Sequence, residues 1–150
     1  MSGINDILNT AQTRGQQMGL PYQGALQPAE AWTLLQLIPG AKLVDVRTRA
    51  EIDWVGRIPG AVEIEWAFYP GMQSNPHFLA ELQQQVNKDA VVMFLCRSGA
   101  RAHSAATVAM QAGYTRCYNV LGGFEGDKNE QDHRNTIDGW RKASLPWKQS

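Results

Sequence analysis

Six consecutive residues, Cys96, Arg97, Ser98, Gly99, Ala100 and Arg101, bring one thiol together with two guanidinium groups and a glycine. They follow the apolar run 91–95 and precede a helix-forming stretch, so the thiol falls where a strand hands over to a helix. A helix start offers unpaired N–H groups and the positive end of the helix dipole, and successive loop amides form an anion-binding nest. Such surroundings stabilise negative charge on sulfur. Arg97 and Arg101 act in the same sense and can hold an anionic substrate against it. The pattern marks Cys96 as a reactive, nucleophilic cysteine.

The rest of the chain must supply that strand and that helix. Residues 28–37 predict a helix opening on Pro28, with Ala31, Leu34, Leu35 and Ile38 on one face and Pro39-Gly40 as its stop. The runs 42–46 and 61–64 are rich in β-formers, and each follows a Pro-Gly turn signal. Asn75-Pro76 opens a second helix over 77–86, in which Phe78, Leu79, Leu82 and Val86 recur at helical spacing. The unbroken apolar run 91–95 is of the kind buried on both faces of a parallel sheet. A helix over 101–111 stops at Gly113, and 117–121 forms a last strand ended by Gly122-Gly123. Strands alternating with helices predict an α/β fold with a central, mainly parallel sheet and helices on both faces. Ligands in such sheets bind beyond the carboxyl ends of the strands, where Cys96 lies.

Composition narrows the function. The 150 residues suit one domain. Fourteen basic and 14 acidic residues cancel, with no block of like charge, which argues against a nucleic-acid or anionic-membrane partner. No stretch approaches the roughly 18 apolar residues of a membrane helix, and the first residues lack a signal-like leader, so a cytoplasmic monomer is expected. Two cysteines do not make a disulfide framework, and Cys117 reads as a buried small hydrophobe. His77, His103 and His133 lack metal-ligand spacing; no metal and no cofactor are expected, and His103 reads as a helix-surface or packing residue. Trp66 and Phe68 read as core rather than pocket wall. Ile4, Ile7, Leu8 and Ala11 predict a short amphipathic helix, its length limited by Gly15 and Gly19.

Several segments together carry a family resemblance. They are Leu43-Val44-Asp45-Val46-Arg47 with Glu51 following, Gly56-Arg57-Ile58-Pro59-Gly60-Ala61, the Cys96 loop, and Gly113-Tyr114 leading to Leu121-Gly122-Gly123-Phe124. Over about 26–147 the chain resembles the single-domain rhodaneses, or thiosulfate sulfurtransferases. The resemblance implies a rhodanese-like domain over 25–150, preceded by an N-terminal extension, 1–24. It implies two half-reactions, in which Cys96 takes sulfane sulfur from a small anionic donor such as thiosulfate and passes it to a thiophilic acceptor. That acceptor would be cyanide, a thiol or a protein, and the intermediate a persulfide on Cys96. The amides of 97–101 would face the sulfur, with Gly99 permitting the backbone turn and Ser98 adding a hydroxyl. Arg97 would meet the donor at the rim, whereas Arg101 is as well placed to brace the loop. Asp45 and Arg47 would fix the loop or line the pocket, the structural role being favoured.

The nearest competing chemistry is that of the cysteine-dependent phosphatases, which place five residues between cysteine and arginine. Here 97–100 make four, and Leu95 replaces the histidine that commonly precedes the phosphatase cysteine. The tighter ring of amides suits a terminal sulfur better than a phosphoryl group. A relay carrier loaded by protein partners, a phosphatase or arsenate-type reductase, and a non-catalytic module are the other readings. Two departures from the rhodanese pattern stand out. Arg57 replaces a histidine, and 125–138 is a polar insertion that either reaches the active-site rim, screening substrates or docking a partner, or forms a solvated loop.

Overall fold

The computed structural model describes residues 2–149 and contains five helices and seven strands among them. Five strands form one parallel sheet in the order β1 (Gly24–Leu26), β7 (Cys117–Val120), β6 (Val92–Leu95), β2 (Lys42–Asp45), β3 (Val62–Glu63). Central β6 pairs with both β2 and β7, placing Phe94 between Val44 and Asn119.

Period-two alternation divides β6 between two cores. Val92, Phe94 and Cys96 face a cluster with Leu82, Ala102, Ala105 and Ala109, from α4 (Phe78–Gln85) and α5 (Ala100–Gln111). Met93 and Leu95 face Leu34, Val120, Phe124 and Trp140 on the other side, covered by α1 (Ser2–Met18) and α2 (Pro28–Leu37). The α/β fold with helices on both faces is the architecture expected from the alternating sequence. The alanines along the buried stripe of α5 let that helix lie close to the sheet, which fixes the height of its N-terminus above the end of β6.

Several elements depart from the sequence reading. The helix α1 is not stopped at Gly15 but runs 17 residues. Gly15 is there for space: a Cβ would come within 2.8 Å of the Gly24 Cα, so close contact with β1 outweighs the intrinsic cost of glycine in a helix. Arg14 ties the two elements further, donating to the Ala25 carbonyl at 2.7 Å and pairing with Glu30 of α2 at 2.9 Å. The N-terminal segment therefore packs on the domain. The helix α3 (Arg49–Val55) was not expected, nor was the small antiparallel pair β4 (Ala67–Phe68) and β5 (Gln73–Ser74). Beyond β7 the segment 125–138 is irregular but hydrogen-bonded to itself and to the sheet end, as in Asn135 N–H donating to the Glu125 carbonyl at 2.7 Å.

Candidate active site

Cys96 directly follows β6, with α5 beginning four residues later, at Ala100. Its side chain is buried, and two amides point at its sulfur: Gly99 N–H donates to Sγ at 3.1 Å and Ala102 N–H at 3.3 Å. Both belong to the loop and the first turn of α5, whose N–H groups have no partner within the helix. They give the sulfur the charge-stabilising environment of an oxyanion-type nest. Ala102 lies one residue beyond the 96–101 stretch that the sequence marks.

Gly99 makes the turn possible. Its φ of 124° is a conformation that side chains resist, while a Cβ there would meet only Asn119 Nδ2 at 4.0 Å, so backbone conformation rather than space demands glycine. Asn119, on β7, supports the loop by donating to the Gly99 carbonyl at 3.2 Å and to Tyr22 Oη at 3.3 Å. Tyr22 in turn contacts His103 Nδ1 at 2.9 Å. His103 is thus a packing and hydrogen-bonding residue behind the loop. Burial raises the Tyr22 phenol above its usual range.

A second support comes from the turn after β7. Phe124 N–H donates to the Cys96 carbonyl at 2.8 Å, and Glu125 N–H to the Arg97 carbonyl at 3.0 Å. Gly123, with φ 57°, sits so close that a Cβ would come within 2.7 Å of the Arg97 carbonyl carbon. The Gly122-Gly123-Phe124 turn is therefore a backbone clamp on the cysteine loop.

The charged residues separate into distinct roles. Arg101 is held by Glu51, its Nη1 and Nη2 donating to the two carboxylate oxygens at 2.7 and 2.9 Å. Burial alone would raise the Glu51 carboxyl, but Arg101 and the Thr48 donors outweigh it and hold it down at about 2. The same Glu51 closes the capping box of α3 with Thr48. Arg101 is thus a brace, the second of the two roles open to it in the sequence. Arg97 is half-exposed, with Nε 3.4 Å from the Glu125 carboxylate. Ser98 Oγ makes no hydrogen bond among the described residues, and Ala100 is exposed as the first residue of α5.

Asp45 and Arg47 lie deeper. Both are fully buried, the closest of their bonds being 2.6 Å, and Arg47 also donates to the Gly56 carbonyl at 2.8 Å while its guanidinium stacks 4.0 Å over the Phe124 ring. They tie β2 to the segment after α3 and to the Gly122-Gly123-Phe124 turn. They do not line the open cleft. Cys117 is fully buried in β7, and burial pushes its thiol up to about 12, the behaviour of an inert packing residue.

An open cleft of about 720 Å³ adjoins the loop at Arg97 and Arg101. Its other walls include Trp54 and Val55 of α3, and Tyr69 and Met72 of the β4–β5 connection. Trp66 is partly buried and packs against the core, edge-on to Phe78 with ring centroids 5.0 Å apart; Phe68 is instead 40% exposed. Of the polar insertion, Glu125 reaches the cleft and meets Arg97. Arg57, the departure from the usual histidine, bonds Asp53 of α3 and Glu63 of β3, each at 3.0 Å.

The family model for the rhodanese-like domain matches residues 28–130. The chain belongs to the rhodanese-like family. It is 38% identical over 120 residues to an uncharacterized protein of Rickettsia prowazekii, RP600, covering 79% of this chain and 91% of that protein. A protein of Allochromatium vinosum named sulfurtransferase is 38% identical over 82 residues, which cover 55% of this chain and 66% of that one. The crystal structure of Rv0390 from M. tuberculosis superimposes with a TM-score of 0.79 at 44% identity, covering 86% of this chain and 99% of that one. Among the described residues no helix is long and apolar enough to cross a membrane.

Proposed function

We propose that the protein is a sulfurtransferase that carries sulfane sulfur as a persulfide on Cys96. The observation that carries this reading is the pair of amides on Sγ, from Gly99 and Ala102, at the carboxyl end of the central strand. They can stabilise the thiolate before transfer and the persulfide after it, so no separate general base is needed at the sulfur. In the first half-reaction the Cys96 thiolate attacks the outer sulfur of thiosulfate. The new sulfur–sulfur bond forms as the old one breaks, and sulfite leaves with the electron pair. In the second, a nucleophilic acceptor such as cyanide or a thiolate takes the terminal sulfur and the Cys96 thiolate is restored.

Arg97 at the rim is the cation available to an incoming anion. Arg101 is committed to Glu51, which disfavours phosphoryl transfer: a guanidinium held bidentate by a carboxylate is not free to clamp a tetrahedral phosphoryl group. Thiocyanate formation from thiosulfate and cyanide tests the reading. Parallel double-reciprocal plots, as for any covalent shuttle, and loss of turnover in Cys96→Ser are expected. Turnover that survives in Cys96→Ser would overturn it.

A further inference from the structure

The amide that Gly99 aims at Sγ depends on how the Gly99 backbone is held. Its carbonyl accepts from two donors, His103 N–H of the first turn of α5 at 3.0 Å and Asn119 Nδ2 of β7 at 3.2 Å. Asn119 is a weak anchor by itself. It is buried, its Oδ1 has no hydrogen-bond partner among the described residues, and both of its side-chain bonds run through Nδ2, to the Gly99 carbonyl and to Tyr22 Oη at 3.3 Å. Rotation of that amide would set Oδ1 against the Gly99 carbonyl, oxygen to oxygen, and the Tyr22 hydroxyl is the second acceptor that opposes it.

Tyr22 has a proton of its own to place. Asn119 donates into Oη, so the hydroxyl donates to His103 Nδ1, 2.9 Å away, in an edge-on ring contact with centroids 5.3 Å apart. Burial raises the phenol above its usual range, the Asn119 bond opposes that, and negative charge on Cys96 adds to it, so the hydroxyl stays neutral and keeps its proton to give. The four residues close a ring. Asn119 donates to Gly99 and Tyr22, Tyr22 donates to the His103 side chain, and His103 N–H returns to Gly99. Bonds linked in this way fix one another's orientation.

Tyr22 also lies outside the matched domain of residues 28–130. It sits between α1 and β1, where Leu20 N–H donates to the Gly15 carbonyl and Gln23 N–H to the Cys117 carbonyl, each at 3.0 Å. Resting on the persulfide reading of Cys96, we infer that Tyr22, supplied by the N-terminal segment, is a positioning residue for sulfur transfer: its hydroxyl, acting through Asn119 and with His103 as acceptor, holds Gly99 so that the amide aims at Sγ. The segment ahead of the matched domain completes the active site from behind, and Tyr22 is not among the residues that line the cleft.

Single-turnover loading of the full chain with thiosulfate, followed by intact mass and normalised to alkylatable Cys96, separates the saturated rate from the half-saturating concentration. Tyr22→Phe keeps the ring and removes one hydroxyl. Its saturated rate is expected to fall about fivefold, the scale of one ordinary hydrogen bond, with half-saturation within about twofold of wild type. In an Asn119→Ala background the same substitution should change the rate less than about twofold, because the hydroxyl acts through that amide. His103→Phe should fall as Tyr22→Phe does, and His103→Asn, which keeps an acceptor at the Nδ1 position, should recover most of the loss. A Tyr22→Phe rate within about twofold of wild type, an undiminished effect in the Asn119→Ala background, or a change in half-saturation alone overturns the positioning role while leaving Cys96 persulfide chemistry standing. A wild-type protein that is fully alkylable at Cys96 yet never loads overturns the persulfide reading, and the role of Tyr22 in sulfur transfer with it.

Discussion

Glu51 grips Arg101 through both carboxylate oxygens, at 2.7 and 2.9 Å across 50 residues of sequence, and so binds α3 to the start of α5. The arginine that ends the cysteine loop is thereby a strut, and Glu51 serves two ends at once because it also caps α3 through Thr48.

Removing one partner should expose the value of that strut. Glu51→Gln keeps the shape and loses the charge, and a destabilisation of about 1–3 kcal/mol is expected in urea unfolding at neutral pH. The effect should depend on acidity in a defined direction. The folded-state carboxyl is depressed from 4.5 to about 2, so its contribution is complete above about pH 4.5 and disappears as pH falls toward 2. The stability gap between wild type and Glu51→Gln should therefore close across that interval. A gap that is constant with pH would show that the ion pair contributes nothing.

The buried Asp45–Arg47 pair is expected to matter more for folding than for chemistry. Asp45→Asn strands a guanidinium that has no access to solvent, at a cost of about 3–5 kcal/mol by denaturant unfolding. Replacement within about 0.5 kcal/mol of wild type would contradict the structural role.

Gly99 supplies the converse case. Gly99→Ala meets open space but must hold φ near 124°, a strain of about 1–3 kcal/mol that the loop can relieve by turning its amide away from Sγ. The rate of Cys96 modification by iodoacetamide should fall at least about tenfold, the scale of losing one preorganised donor or more. An unchanged rate would mean that the Gly99 amide does not set the reactivity of the sulfur.

Cys117 should stay silent. Its burial and raised thiol make it inert in the native protein, so iodoacetamide at pH 8, a value chosen about four units below its midpoint, should label Cys96 alone. Cys117→Ala should retain sulfur transfer. Native labelling of Cys117 would contradict its assignment as a packing residue.

What the sequence revealed, and what it hid, follows from the range of the interactions. The run 91–95 and the alanine-rich stretch after it announce a doubly buried strand and a closely packed helix, because hydrophobic periodicity is local. The position of Cys96 between them is legible for the same reason. The seven-residue helix α3 has only Ile52 buried, too short a pattern to detect, although Thr48 and Glu51 at capping-box spacing were a signal that it begins there. The Arg101 strut needed a partner 50 residues away. The Asn119 contact to the loop, and the convergence of Trp54, Tyr69 and Met72 on one cleft, likewise depend on tertiary placement that no local pattern carries, whereas the Ala102 amide, six residues from Cys96, belongs to the helix start that the sequence does announce. Gly15 misled because its local helix-breaking tendency is outweighed by a packing constraint from Gly24.

The central claim is that Cys96 carries transferable sulfur, and intact mass spectrometry after incubation with thiosulfate tests it most directly. Wild type should gain about 32 Da, one sulfur atom, and lose it on addition of cyanide with release of thiocyanate, whereas Cys96→Ser should gain nothing. A cyanide-labile adduct on Cys96→Ser, or no adduct on a wild-type protein whose Cys96 is fully alkylable, would contradict the account.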